Sequence, residues 1–595
     1  MSQKKIPEYF PLDWRFGTDG IRGPVESKMN PLFMVKLGWA AGKILKTRGI
    51  EGILIGKDTR ISGYMIESAL ESGLISAGVN VTLVGPMPTP GVAYLAKLTN
   101  QAGLVISASH NRFSDNGIKF FTEEGYKLDY KFEKEIEDVL LDKSTVVDSL
   151  ELGKANRLED AQSRYIEFCL STSPNLDLSG LNLVIDCANG ANYAIAPKVF
   201  SELGCKVTAI STSPDGININ ADCGSTNPEK IQQAVISNEA DLGISFDGDG
   251  DRLVLVDKKG RVLDGDDLLY TLISRNSINS QSKFYEGVVG TLMTNKSLEN
   301  FLERQGIDFF RTDVGDKYVI RALRERSWIL GGEPSGHIIC LDQTTTGDAL
   351  IASVKLLESL KDIDFDISKA LGDFRKLPQQ LISFEVDDPH KILMNSEVRS
   401  ELSKLEEKLG KEGRVLIRPS GTEDLLRVMV EASTKELADD LAKYCVHRIL
   451  HTFPLLWCFH KVHHTAETLT PLTVYRTHPL EAVIFGIRSV CVQAIVIGSF
   501  LYFFGSKVEL VTLLGSSAFL FIFNVVGSNL RHSHVWISYG RLVEKVLISP
   551  AQHQIHHSIM HHLNHYIDKY QGISLQHDLR CPCWYQLGLP IHLIH

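Results

Sequence analysis

The chain has 595 residues, 44% hydrophobic and 23% charged, which is enough for several domains with buried cores and too apolar for a disordered polymer. A formal net charge of -10 offers no general attraction for nucleic acid or an anionic membrane, so an anionic ligand has to be held by a local cluster. Ten cysteines without paired spacing, and the charged start Met1-Ser2-Gln3-Lys4-Lys5 without an apolar stretch, predict a reducing, cytoplasmic location and no disulfide framework. The averages conceal a seam. Only His110, His337 and His390 of the 20 histidines precede residue 447, and the last 149 residues carry a net charge of +4 against -14 for the first 446.

Up to residue 446, short apolar runs alternate with amphipathic stretches. Residues 52–55, 79–84, 103–106, 181–185, 206–210 and 242–245 read as buried strands separated by helix-length segments. Between Ile66 and Ala77 the apolar residues Ile66, Ala69, Leu70 and Leu74 fall at helical spacing, which predicts a βα crossover. The rhythm is that of an α/β protein, in which ligand sites gather beyond the carboxyl ends of the strands.

Four loops carry the chemistry. Ser107-Ala108-Ser109-His110-Asn111 offers a strand-end serine beside an imidazole, with Lys119 shortly after it as a proton-transfer or phosphate-contact group. Asp247-Gly248-Asp249-Gly250-Asp251-Arg252 packs three carboxylates that repel one another unless they enclose a hard cation, for which Mg2+ is the natural candidate. Gly331 to His337 presents Glu333, Ser335 and His337, groups suited to sugar hydroxyls. Arg418-Pro419-Ser420-Gly421-Thr422, with Arg427 beyond, combines guanidinium forks, hydroxyls and a glycine-opened backbone that suit a phosphate dianion. Each loop alone also fits an ordinary polar turn; together they describe phosphoryl transfer on a phosphosugar.

In number, order and content these loops resemble the α-phosphohexomutase family, from about Arg15 to about Ala442. The opening Phe16-Gly17-Thr18-Asp19-Gly20-Ile21-Arg22-Gly23, with Asn218-Ile219-Asn220 and Cys223-Gly224-Ser225-Thr226, is most similar to the bacterial glucosamine-phosphate branch, with the phosphomannomutase and phosphoglucomutase branch as its rival. The resemblance implies three related α/β domains at 1–158, 159–258 and 259–375 and a smaller α+β domain at 376–445. It implies Ser109 as a phosphoserine, Mg2+ bridging it to Asp247, Asp249 and Asp251, and catalytic support from His110, Lys119, Arg22 and Arg252. Glu333, Ser335 and His337 would hold the sugar, and Arg418, Ser420, Gly421, Thr422 and Arg427 its phosphate. The substrate would be glucosamine 6-phosphate, turned into glucosamine 1-phosphate through a bisphosphate. Arg112, Asp424 and Pro334 depart from the family pattern, and residues 6–14 form an insertion-like stretch before the opening motif.

From residue 446 to 595 the character changes. His447 and His451, His460, His463 and His464, and His553, His556 and His557 recur at spacings that put imidazoles on one helical face, suited with His532 to metal ligation. Residues 489–506 and 510–530 are uncharged and of bilayer-spanning length, which predicts an α-helical, membrane-associated hairpin tethering the chain to the cytoplasmic face. The tail resembles part of the sterol desaturase and fatty acid hydroxylase superfamily, and the resemblance implies a di-iron centre and, as the alternative to phosphosugar isomerisation as the principal activity, a membrane oxidoreductase.

Overall fold

The computed structural model describes residues 9–11, 13–17, 19–276, 286–386, 389–419 and 425–452. These fall into two compact units that divide between Leu377 and Pro378. The histidines from His460 to His557 and the predicted spans 489–506 and 510–530 lie outside the described residues. His447 and His451 lie on a described helix, but their side chains are not described. Among the described residues no helix is long and apolar enough to cross a membrane.

The first unit holds three sheets. The first contains β1 (Ile21–Pro24), β2 (Gly52–Lys57), β3 (Asn80–Pro86), β4 (Ala102–Ile106), β5 (Asp115–Phe121) and β6 (Ala155–Arg157), in the order β1-β5-β4-β2-β3-β6. β2 pairs in parallel with both β3 and β4, and every residue of β4 is buried, as its uninterrupted apolar run demands. The predicted crossover helix is Ser62–Ser76, with Ile66, Leu70 and Leu74 fully buried. The second sheet contains β7 (Asn182–Asp186), β8 (Lys206–Ile210), β9 (Leu242–Phe246), β10 (Leu253–Asp257) and β11 (Val262–Leu263), in the order β11-β10-β9-β7-β8. The third contains β12 (Gly287–Thr291), β13 (Asp308–Thr312), β14 (Leu330–Gly332) and β15 (Ile338–Cys340), in the order β13-β12-β14-β15. One continuous apolar core runs from Leu54 and Val105 in the first sheet through Ile185 and Ile244 in the second to Leu330 in the third and Leu350 on helix Ala349–Leu360, so the three layers are cemented together.

The insertion-like stretch before the opening motif has a packing role. Phe10 lies edge-on to both Trp14 and Phe33, and Phe10 and Trp14 are buried against helix Pro31–Thr47. Asn30 caps that helix by accepting from the Phe33 amide, and its Nδ2 donates to the Tyr9 carbonyl, which ties the segment to the helix start.

The second unit contains β16 (Gln379–Glu385), β17 (Arg414–Pro419) and β18 (Leu425–Glu431), antiparallel in the order β16-β18-β17, with helix Lys435–Thr452 contributing to their core. Ala438, Leu441, Ala442, Cys445 and Ile449 line one face of this helix and are buried. The compositional seam at residue 446 therefore falls inside a helix, and Ile449, beyond the seam, completes the core.

The strands expected at residues 52–55, 79–84, 103–106, 181–185, 206–210 and 242–245 all form, but β8, at the edge of its sheet, has no buried residue, against the expectation of a buried strand, and helices do not separate the strands uniformly. β4 returns as β5, β9 as β10, β14 as β15 and β17 as β18, each pair antiparallel. Each of the four chemistry-bearing loops is the connection of such a pair, not the start of a crossover helix.

Candidate active site

Within the first unit three of these hairpin loops converge. Ser109, between β4 and β5, is wholly buried at φ 51°, a left-handed conformation that few non-glycine residues adopt. Its carbonyl accepts from the buried guanidinium of Arg60 at 3.1 Å and from Asn220 Nδ2 at 2.9 Å, and its amide donates to Ser107 Oγ at 2.9 Å. These bonds over-determine the strained backbone. They leave Ser109 Oγ to donate to Asp247 Oδ2 at 2.5 Å, with His110 Nδ1 3.4 Å away.

Asp247, Asp249 and Asp251 sit in the β9–β10 loop, all buried, with ligand oxygens within 4.8 Å of one another. Gly250 makes the turn at φ 73°, and a side chain at Gly248 would press to 2.6 Å from the Ser109 carbonyl, so the glycine spacers let the two loops touch. Asp247 Oδ1 accepts from the amides of Asp251 and Arg252, both at 3.1 Å, and Asp249 Oδ2 accepts from Thr89 Oγ1 at 2.6 Å. Asp249 Oδ1 and Asp251 Oδ1 are buried with no hydrogen-bond partner. An all-oxygen donor set with unclaimed buried lone pairs fits a hard divalent cation such as Mg2+.

Burial, followed by the charges of Asp251 and Asp249, raises the Asp247 carboxyl well above the usual range. Asp249 and Asp251 are lowered instead: burial works against ionisation, but Lys119 overcomes it. Lys119, on β5, is buried with its Nζ 2.8 Å from Asp249 and 3.3 Å from Asp251. Burial opposes its charge, yet Asp19, Asp249 and Asp251 raise its pKa, so it stands as an ammonium. Burial and then the charges of Arg252 and Arg22 push His110 down to about 4, which keeps the imidazole neutral near pH 7 and places both arginines within electrostatic reach of the serine loop. Arg22 is paired with Asp19, and Arg252 Nε lies 3.8 Å from Asp251.

The third loop divides. Glu333 is buried, accepts from the Gly315 amide at 2.9 Å, and has its pKa raised by burial; Ser335 at the tip is exposed. His337 stands apart from the tip, because its buried ring lies 3.8 Å from Asp251 and 3.5 Å from Asp316 on its two nitrogens. Its place is between acidic groups, not on the loop's open side. Pro334, the departure in this loop, uses its carbonyl to accept from the Gly265 amide at 3.1 Å, fixing the loop to the start of helix Gly265–Asn276. Arg112 is exposed.

In the second unit Arg418 and Arg427 are direct partners in the β17–β18 register. Burial and then the Arg427 charge lower the Arg418 pKa, the signature of two cations held side by side. Ser420, Gly421, Thr422 and Asp424 lie outside the described residues.

Residues that the sequence reading did not single out complete the first unit's site. Arg60 follows β2 directly, so the strand-end rule applied to Asp58-Thr59-Arg60 would have found it. Asn220 was visible within Asn218-Ile219-Asn220. Lys127 and Asp316, which pair at 2.5 Å, carry no local sequence signal.

Comparison with known proteins agrees with this arrangement. Models of phosphoglucomutase/phosphomannomutase α/β/α domains I, II and III match residues 14–146, 163–260 and 264–377, and the C-terminal domain model matches 381–447. A fatty acid hydroxylase model matches 436–573, so both families claim part of helix Lys435–Thr452. Phosphoglucosamine mutase of Alcanivorax borkumensis is 50% identical over 430 residues, covering 72% of this chain and 96% of the relative. That of Cellvibrio japonicus is 53% identical over 436 residues, covering 72% and 97%. A phosphoglucomutase/phosphomannomutase family structure from Burkholderia thailandensis superposes with a TM-score of 0.65 at 24% identity, over 74% of this chain and 98% of that one, and shows the shared fold. With buried serine, aspartate triplet and four matched domains in order, the chain belongs to the phosphoglucomutase/phosphomannomutase family of phosphosugar isomerases, and it carries a fatty acid hydroxylase segment behind it.

Proposed function

We propose that this chain interconverts glucosamine 6-phosphate and glucosamine 1-phosphate through a phosphoserine at Ser109 and a bisphosphorylated sugar. The observation that carries the reading is the 2.5 Å contact between Ser109 Oγ and Asp247 inside a buried aspartate triplet. The sugar preference rests on the curated relatives, which are named phosphoglucosamine mutases.

Phosphoryl transfer asks the protein for position and charge compensation more than for covalent chemistry. Mg2+ held by Asp247, Asp249 and Asp251 supplies charge neutralisation for the transferring group. The Oγ–P bond at Ser109 breaks as an O1–P bond to the sugar forms; the sugar hydroxyl loses its proton and the serine oxygen regains one. Neutral His110, 3.4 Å from Oγ, is able to accept a hydrogen bond there, and Lys119, held as an ammonium, gives its proton toward the departing serine oxygen and takes the sugar hydroxyl's proton in exchange. Arg22 and Arg252 offset the phosphate charge. Glu333 and Ser335 hold sugar hydroxyls, with His337 orienting the centre from behind. Arg418 and Arg427, with Ser420, Gly421 and Thr422, grip the phosphate that is not being transferred.

The test is Ser109→Ala in an assay that offers glucosamine, glucose and mannose 6-phosphates in turn. Isomerisation is expected to fall at least about a thousandfold with all three, with the unaltered enzyme fastest on the amino sugar. Activity surviving the substitution would remove the phosphoserine; a faster rate on glucose or mannose would move the chain to the rival branch.

The hydroxylase match favours a second reading for the tail alone, as an iron-binding, membrane-tethering segment using His447, His451, His460, His463, His464, His532, His553, His556 and His557. Iron analysis of detergent-solubilised full chain tests it. Content no higher than that of a chain ending at Thr452 counts against it.

A further inference from the structure

Beyond the triplet lies a line of alternating charges. Lys119 Nζ is 3.3 Å from Asp251 and 3.2 Å from Asp19; Lys127 Nζ is 2.5 Å from Asp19 and 2.5 Å from Asp316; the His337 ring lies between Asp316 and Asp251. The members come from all three sheets' domains: Asp19, Lys119 and Lys127 from the first, Asp251 from the second, Asp316 and His337 from the third. Lys127 keeps only 11% of its side chain exposed and Asp316 only 8%, so neither charge is relieved by water. In such surroundings each ammonium must divide itself between the carboxylates within reach, and a change at one pair is passed to the next.

We propose that Lys127 and Asp316 are positioning residues that set how much of the Lys119 charge the aspartate triplet receives, and so how tightly the triplet holds a divalent cation. Lys127 satisfies Asp19, which leaves Lys119 to turn toward Asp249 and Asp251. Without Lys127, Asp19 draws Lys119 away and the triplet is left more negative. Without the Asp316 charge, Lys127 leans wholly on Asp19, and Lys119 is released onto the triplet as a competitor for the cation. The two ends of one ion pair therefore have opposite effects at a site neither of them ligates. A merely structural pair, once broken, would loosen the site whichever partner was removed.

This inference rests on the reading of the triplet as a cation site, and its test does not require the isomerase to turn over. Mn2+ is titrated into the full chain and free ion is followed by electron paramagnetic resonance. Lys127→Met is expected to tighten Mn2+ binding roughly three- to tenfold, and Asp316→Asn to weaken it by a similar factor. Lys127→Arg, which keeps the charge, stays within about twofold of the unaltered chain, and the double variant Lys127→Met with Asp316→Asn stays within about twofold of Lys127→Met alone, because Asp316 acts through Lys127. Shifts in the same direction for the two single variants, no shift in either, or no Mn2+ binding by the unaltered chain would overturn the proposal. Isomerisation measured on the same preparations reports separately on the proposed function: an unaltered chain that binds Mn2+ but leaves the phosphosugars unchanged defeats that function and not this inference.

Discussion

At the turn between β9 and β10 three aspartates are buried beside one another and interleaved with Lys119, Arg252 and a serine hydroxyl; across β17 and β18 two arginines face each other in register. The first arrangement gathers negative charge and leaves carboxylate oxygens without a hydrogen bond. The second gathers positive charge, and burial lowers the pKa of Arg418 with Arg427 adding to it. Like charges held this close repel, and on the proposed function a cation at the triplet and an anion at the arginines would offset them. The difference teaches that charge crowding within a single hairpin marks the ligand's sign, whereas the identity of the ligand has to come from the remaining groups around it.

The comparison is broken most directly at the triplet. Asp249→Asn removes a carboxylate held by both Lys119 and Thr89, and is expected to lower kcat about a thousandfold while the chain stays folded, as read by steady-state kinetics and circular dichroism. A smaller fall, under tenfold, would show that the negative cluster is not needed for transfer.

The second unit is more sensitive in its core than in its charges. Ending the chain at Val446 removes Ile449, which is 2% exposed, and should cost that unit about 2–4 kcal/mol, whereas ending it at Thr452 should cost little. Urea unfolding of the two truncated chains decides this, and equal midpoints would show that the helix beyond the seam is dispensable.

A third test uses pH. The imidazole of His110 has its pKa depressed from an ordinary 6.5 to about 4, so the unfolded chain binds a proton that the folded chain refuses. Stability from this group is therefore present above about pH 6.5 and is lost as pH falls toward 4, by up to about 3 kcal/mol. Unfolding midpoints of the unaltered chain and of His110→Asn should diverge over that window and run parallel above pH 7. Parallel curves throughout would mean that the serine loop tolerates imidazolium.

The smallest effect is expected at the arginines. Arg418→Ala should raise KM for the phosphosugar about tenfold with kcat changed less than threefold, if, as proposed, the group binds the phosphate that is not being transferred. A fall in kcat with unchanged KM would place Arg418 at the reacting phosphate instead.

Much of this was legible in the amino-acid order. The buried strands announced themselves as unbroken apolar runs, and glycine-spaced aspartates could be read as a cation loop because three adjacent carboxylates have few other stable uses. The hairpin returns of β4, β9, β14 and β17 were not legible, since an antiparallel turn and the start of a crossover helix can begin with the same glycine- and serine-rich text. The surroundings of His337 were not legible for a related reason: the motif gives its neighbours along the chain, while its ring turns inward to Asp251 and Asp316, residues from other segments.

Local text by itself determined the strands and the four loops, because these depend on residues only a few positions apart. It also determined the compositional seam near residue 446. Tertiary structure alone decided that Ser109 meets Asp247, that Lys119 stands as an ammonium among three carboxylates, that Lys127 pairs with Asp316, and that the helix crossing the seam still serves the upstream core. Those outcomes turn on burial and on distances between segments far apart along the chain, and the strength of a charge interaction is fixed by both.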